Sequence, residues 1–178
     1  LEGYLDVIME ELGMKGAKPS NATGSPALRK VSDDTPLEPK QHRCYRRIVG
    51  KLQWIAAIRP DVLYAVKELA RALATPVIDD WARMKHFMRY LIGTMLSVSV
   101  LRPAYVIEKL GVHFELFVYV DSDWAGCVRT RKSTTGGLLC WGKHCLKSWS
   151  STQGTIALSS GEAEYYALVE GAARTLGM

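Results

Sequence analysis

The spacing of apolar residues in the first half of the chain predicts helices. Between residues 42 and 57, five apolar positions recur at intervals of three and four, as in an amphipathic helix. The segment Arg59-Pro60-Asp61 ends this helix and begins a second one that runs to residue 73, and a third helix follows from residue 79 to Gly93. A short helix is predicted over 1–13. Residues 15–41, with four prolines, read as a linker.

After Gly93 the pattern changes to a period of two, which is typical of strands. A weak strand is predicted at 97–101, and a strong one at 116–120 that leads directly into Asp121. Segments 135–141 and 145–150 flank a Gly-Lys turn and predict a hairpin. Ser159 and Glu162 have the spacing of a capping box at the start of a final helix. The expected fold class is therefore α+β.

Composition narrows the class of protein. With 178 residues and 48% hydrophobic residues, the chain can bury one or two cores, and it is too apolar for general disorder. No stretch approaches the roughly 20 apolar residues that span a bilayer. The four cysteines lack the spacing of a zinc site or a disulfide framework, so we expect reduced thiols in an intracellular protein, with nucleus and cytoplasm both open.

Basic residues are concentrated in one region. Residues 40–89 contain eleven Lys or Arg and four acids, whereas residues 103–178 contain seven of each sign. Such a stripe fits a nucleic-acid-binding surface, because neutralising phosphates and releasing counterions supplies sequence-independent affinity. A solvated helix face would give the same pattern, and charge alone leaves both interpretations open.

Acidic residues follow the strong strand and begin the last helix. Asp121 stands at the end of the strand, and Glu162 and Glu164 lie in the first turns of the helix. Carboxylates from a strand end and a packed helix can share a divalent metal, since Mg²⁺ prefers oxygen ligands. Hydrolysis with two metals would need more carboxylates than these.

Several segments closely resemble the ribonuclease H region of copia-type LTR retrotransposon Pol polyproteins. They are YVDSDWAG at 119–126, RKSTTGG at 131–137, SWSS at 148–151 and ALSSGEAEY at 157–165. Upstream, YRRIVGKL at 45–52, RPD at 59–61 and RYLIGT at 89–94 resemble the segment that joins reverse transcriptase to ribonuclease H in the same polyproteins. The resemblance covers nearly the whole chain.

The resemblance implies a set of site residues. Asp121 and Glu164 would be the first two metal-binding and catalytic carboxylates, with Mg²⁺ or Mn²⁺ expected only in the complete domain. Asp123 and Glu162 read as loop and helix-start acids. The expected nucleic-acid contacts are Arg46, Arg47, Lys51, Ser133 and Thr134.

The resemblance also implies an organisation: the end of the reverse transcriptase region and a linker at 1–41, a helical connection segment at 42–95, and a partial domain at 96–178. The last of these is expected to be an incomplete ribonuclease H-like mixed sheet with one flanking helix. Because the family's further acidic residues have no counterpart here, we expect a fragment of a longer polypeptide that is inactive by itself.

Two functions remain open at this stage. In the first, the intact parent binds an RNA/DNA hybrid and hydrolyses its RNA strand with two Mg²⁺ ions. In the second, the chain is a truncated or co-opted structural or binding subunit, and a protein partner covers its incomplete sheet.

Overall fold

The computed structural model of the protein describes residues 2–24, 33–97 and 116–177. The chain divides into two compact units, Leu1–Val98 and Ser99–Met178. Within the described residues there are five α-helices and a three-stranded sheet, which confirms the α+β class. None of the helices in this part of the chain is both long and apolar enough to cross a membrane.

The first unit is helical, as the apolar spacing predicts. Its helices are α1 (Glu2–Glu11), α2 (Pro39–Ala56), α3 (Leu63–Arg71) and α4 (Ile78–Gly93), and a 3₁₀ turn at Pro60–Val62 precedes α3. Helix α2 begins three residues before the predicted start, because Pro39 fits the first turn of a helix, where its missing N–H is not needed.

The core of the first unit is formed by all four helices. Ile8 of α1, Ile48 and Leu52 of α2, and Met88 of α4 are fully buried. Tyr45 is also fully buried, and its hydroxyl donates to the carbonyl oxygen of Leu69 at 2.8 Å. Burial raises the pKa of this phenol well above its usual range.

The predicted linker is held against this core where the structure describes it. The amide of Ser20 donates to the carbonyl of Arg89 at 3.0 Å, and that of Leu37 donates to the carbonyl of Pro76 at 3.0 Å. Leu37 is buried. Backbone hydrogen bonds thus fix both described ends of a segment that has no apolar periodicity.

The second unit has an antiparallel sheet in the order β1-β2-β3, with β1 at Leu116–Asp123, β2 at Thr134–Trp141 and β3 at His144–Thr152. Helix α5 (Ser160–Leu176) packs on one face of this sheet through its buried small residues, Ala163, Ala167 and Gly171. The predicted hairpin and final helix are confirmed.

Two expectations about the sheet need correction. Every pairing among the described strands is antiparallel, because short connections link strands that are consecutive in sequence, so the expected mixed sheet is not seen in this part of the chain. Strand β1 continues through Asp123, and Asp121 therefore lies within it. The strand predicted at 97–101 falls almost entirely outside the described residues.

Candidate functional site

Asp121 lies in β1, directly opposite Gly136 of β2. Its carboxylate accepts a hydrogen bond from the amide of Ser122 at 2.9 Å, and the residue is exposed. The preceding Val120 faces α5, where it contacts Gly171. Since side chains alternate along a strand, Asp121 lies on the sheet face opposite to α5.

Glu164 is exposed on α5, one position after the buried Ala163. Helix α5 packs on β1, but Asp121 lies on the other face of the sheet, so the structure does not bring the carboxylates of Asp121 and Glu164 together. No group of three or more His, Cys, Asp or Glu side chains that could hold a metal comes together among the described residues. The oxygen donors suit Mg²⁺, but the described residues do not assemble a cage around it.

Glu162 caps α5 instead of facing a site. Its carboxylate accepts from the amide of Leu158 at 2.7 Å and from the hydroxyl of Tyr166 at 2.7 Å, and Ser159 Oγ accepts from the amide of Glu162 at 3.1 Å. The hydrogen bond from Tyr166 lowers the pKa of Glu162. The predicted helix-start role is confirmed, with Leu158 as the backbone donor.

Asp123 closes the loop between β1 and β2. Its carboxylate accepts a hydrogen bond from the amide of Thr134 and lies against Gly126, where a side chain would not fit. Ser133 Oγ accepts from the amide of Ala125 at 3.0 Å. The sequence interpretation of Asp123 as a loop acid gave no hint of these contacts, which depend on how the loop folds back.

Ser133 and Thr134, two of the predicted phosphate contacts, are buried. Ser133 is fully buried by the loop that it supports. Contact between its hydroxyl and a phosphate would require this loop to open. Their assignment as nucleic-acid contacts stays a prediction.

Gln153 is a residue that the sequence analysis missed. It is buried, and its side-chain amide donates to Thr135 Oγ1 at 3.1 Å and to the carbonyl of Ala163 at 2.8 Å. These two bonds join the end of β3 to β2 and to the first turn of α5. A single glutamine in a polar stretch gives no sequence signal for this role.

Helix α2 presents the basic residues of the first unit. It contains five Lys or Arg and no Asp or Glu over its eighteen residues. Lys40, Arg43, Arg46 and Arg47 are exposed. The exposed side of this helix therefore carries several positive charges and no negative charge.

A single acid on α1 pairs with two of these cations. The carboxylate of Glu11 accepts from Lys51 at 2.8 Å and from Arg47 at 3.2 Å. The hydrogen bond from Lys51 lowers the pKa of Glu11. Within the described residues, Arg43 and Arg46 form no ion pair, so their charges remain available to an anionic ligand.

An aromatic residue lies near the end of the basic helix. Trp54 is 59% exposed, and its ring centroid lies 5.3 Å from that of Tyr4 on α1. Exposed aromatic faces next to cations can stack with unpaired bases. The first unit therefore has both exposed cations on α2 and an exposed aromatic ring, that of Trp54, near the end of the same helix.

Comparison with known proteins gives three informative relatives. The chain is 35% identical over 166 residues to an uncharacterized mitochondrial protein of Arabidopsis thaliana, a match that covers 93% of this chain and 65% of that protein. It is 41% identical over 123 residues to the retrovirus-related Pol polyprotein from transposon RE2 of Arabidopsis thaliana, covering 68% of this chain and 8% of the polyprotein. With the retrovirus-related Pol polyprotein from transposon TNT 1-94 of Nicotiana tabacum it shares 33% identity over 175 residues, covering 95% of this chain and 13% of the polyprotein.

No protein-family model matches the chain. No solved structure matches it either. The Pol polyproteins match over most of its length, from the helical unit into the sheet unit. The chain belongs to the family of retrovirus-related Pol polyproteins from copia-type transposons. It spans less than two thirds of the length of these relatives, and only about a tenth of the two polyproteins.

Proposed function

We propose that the chain comprises the nucleic-acid-contacting segment that joins reverse transcriptase to ribonuclease H in a copia-type Pol polyprotein, together with the first part of the ribonuclease H region. Its first unit would hold an RNA/DNA hybrid along α2. The observation on which this rests is that α2 has five cations and no acid, with Arg43 and Arg46 exposed.

Binding through α2 would read the backbone of the hybrid, not its base sequence. Arg46, Arg47 and Lys51 lie within two turns of one helix, so their charges can follow consecutive phosphates. Each phosphate that is neutralised releases counterions, which makes the affinity steeply dependent on salt. Glu11 offsets one of these charges and would limit how strongly the free surface attracts other polyanions.

In the intact polyprotein, the second unit would be part of a ribonuclease H-like domain. Asp121 and Glu164 would then supply two of the carboxylates that hold Mg²⁺ or Mn²⁺, and the bound metal would supply activation of water for hydrolysis of the RNA strand. Both side chains are exposed, as metal ligands at an open site would be. Because Asp121 lies on the sheet face opposite to α5, a shared metal would require β1 or α5 to shift when the complete domain forms. The remaining ligands would come from acids elsewhere in the polyprotein, so the chain alone would not cleave the hybrid.

Incubation of a hybrid labelled on its RNA strand with Mg²⁺ or Mn²⁺ tests this proposal. The chain alone should leave the RNA intact, and a longer stretch of its polyprotein should cut it. In that longer protein, Glu164→Gln should abolish cutting and leave binding unchanged. The matched control is Glu10→Gln, which removes an exposed acid of α1. Unchanged turnover by the Glu164→Gln protein would refute the assignment.

A second candidate function is that of a non-catalytic binding subunit. It is favoured by the outward side of α5, where Tyr165, Leu168 and Val169 are 64%, 59% and 51% exposed. A protein partner would cover this apolar side. This candidate predicts that the chain co-purifies with a protein partner and does not bind the RNA/DNA hybrid at any salt concentration.

A further inference from the structure

Two cysteines face each other across the hairpin of the second unit. Cys140 of β2 and Cys145 of β3 are direct partners in the antiparallel register. Both are half-buried thiols. Residues directly opposite each other in such a pair project from the same face of the sheet, with Cβ atoms about 4.5–5.5 Å apart.

The position of this pair follows from a bulge in the hairpin. The register shifts between Leu139 and Cys140, so that Leu139 pairs with Lys147 and Cys140 pairs with Cys145. Without the shift, Cys140 would be opposite Leu146. The bulge therefore aligns the two thiols, which regular pairing would have kept apart.

The surroundings of Cys145 bear on the reactivity of its thiol. Its thiol donates weakly to the carbonyl of Lys147 at 3.7 Å. Burial raises the pKa of Cys145, and the neighbouring Cys140 raises it further. A raised pKa keeps the Cys145 thiol protonated and slow to react at neutral pH, without changing the alignment of the two sulfurs.

We propose that Cys140 and Cys145 are a dithiol site that closes to an intramolecular disulfide by exchange with a low-molecular-weight disulfide. A thiolate of the pair attacks one sulfur of the small disulfide, whose S–S bond breaks and releases one small thiolate. The second protein thiolate then attacks the mixed disulfide, forms the Cys140–Cys145 bond and releases the other small thiolate. Two protein thiols are oxidised, the small disulfide is reduced to two thiols, and the two protons end on those products.

The other two cysteines are placed differently. Cys44 lies on α2 in the first unit. Cys127 lies in the loop after β1, where its sulfur accepts from the amide of Thr130 at 3.4 Å. Neither is a register partner of Cys140 or Cys145. Of the four thiols, only Cys140 and Cys145 are therefore expected to form the disulfide by exchange.

The disulfide would fix the end of the hairpin and would stabilise the fold less than a bond that closes a long loop. Only four residues separate the two cysteines, and the loop-closure entropy removed from the unfolded chain is small for such a short ring. The site is thus suited to reversible oxidation, and it is not a structural crosslink of the kind that secreted domains need.

The test is equilibration of the native chain with mixtures of reduced and oxidised glutathione, followed by alkylation of the remaining thiols and peptide mapping. We expect a peptide pair joined through Cys140 and Cys145. In Cys140→Ser, a glutathione adduct should instead accumulate on Cys145. The matched control, Cys127→Ser, should form the same bond as the unmodified chain.

A second measurement keeps the test independent of the variants. The unmodified chain should form the bond at an oxidised-to-reduced glutathione ratio about tenfold lower when native than in urea, because the register holds the thiols together. Equal ratios in the two states would overturn the proposal, as would stable glutathione adducts on both cysteines or bonds to Cys44 or Cys127.

Discussion

Gly171 of α5 packs directly on Val120 of β1. A Cβ atom built on Gly171 would lie 2.5 Å from Cγ1 of Val120 and 3.4 Å from Cγ1 of Val118. Because Gly171 has no side chain, the helix backbone approaches the strand closely. The small residues Ala163 and Ala167 are also buried, on the same side of the helix. The packing of α5 on the sheet depends on this contact.

Substitution of Gly171 by alanine should destabilise the second unit. The added methyl must displace α5 or Val120, and overpacking of this kind costs about 1–3 kcal/mol. Alanine regains up to about 1 kcal/mol through its helix propensity, which leaves a net loss of about 0–2 kcal/mol. We expect the upper end of this range, because the added atom would lie 2.5 Å from Cγ1 of Val120. The measurement is the hydrogen-exchange protection of amides in residues 116–177.

The matched control is Gly161→Ala, since Gly161 lies in the same helix and its nearest neighbour is 4.0 Å from an added Cβ. It should leave protection unchanged or raise it slightly. Equal effects of the two substitutions would show that the Gly171–Val120 contact does not limit the packing.

Loss of the Gln153 side chain should loosen the junction between the sheet and α5. Gln153→Ala removes two buried hydrogen bonds, and a buried polar group left without a partner costs about 1–3 kcal/mol. Exchange should therefore accelerate in the first turn of α5 and at the end of β3. Gln53→Ala, at an exposed position of α2, is the control and should leave these amides unchanged.

The first unit contains a charged network that should make its stability depend on pH. The buried guanidinium of Arg59 donates to the carboxylate of Asp61 at 2.6 and 2.8 Å and to Thr94 Oγ1 at 2.9 Å. The hydroxyl of Tyr90 donates to Asp61 at 2.9 Å. The hydrogen bonds from Arg59 hold the pKa of Asp61 below its ordinary value of 3.8.

A lowered folded-state pKa adds stability above the ordinary pKa, and this stability is lost as the pH falls through the folded value. Unfolding of the first unit should therefore become easier as the pH drops below 3.8. Asp61→Asn should lower stability at neutral pH and flatten this acid dependence. Urea unfolding followed by far-UV circular dichroism at a series of pH values measures both effects. Asp6→Asn, an exposed acid of α1, should keep the steeper profile.

The sequence predicted the elements of both units because local patterns determine them. Helical spacing located α2 and α4, alternation located β1, and the Gly-Lys turn located the hairpin. The contacts that join the elements were not predictable. The Arg59–Asp61 pair was read only as a boundary between helices, and its link to Thr94 spans 35 positions in sequence.

The candidate site was predicted only in part, because local motifs mark its residues whereas packing decides where their side chains lie. The motifs marked Asp121 and Glu164, but the sheet face on which Asp121 lies depends on strand packing. Burial of Ser133 depends on the fold of the loop after β1. The basic character of α2 was visible in the sequence, whereas the pairing of Glu11 with Arg47 and Lys51 required the packing of α1 on α2.

The central claim is that α2 binds the backbone of an RNA/DNA hybrid. Fluorescence anisotropy with a labelled hybrid, measured over a range of salt concentrations, tests it most directly. Arg43→Gln combined with Arg46→Gln should weaken binding and reduce the slope of log K against log salt by about two, one unit for each phosphate contact.

The control combines Arg129→Gln with Lys143→Gln, which removes the same net charge from exposed positions of the second unit. We predict that this control keeps the slope and affinity of the unmodified chain. Equal losses in both double variants, or binding that does not change with salt, would contradict the assignment of the hybrid to α2.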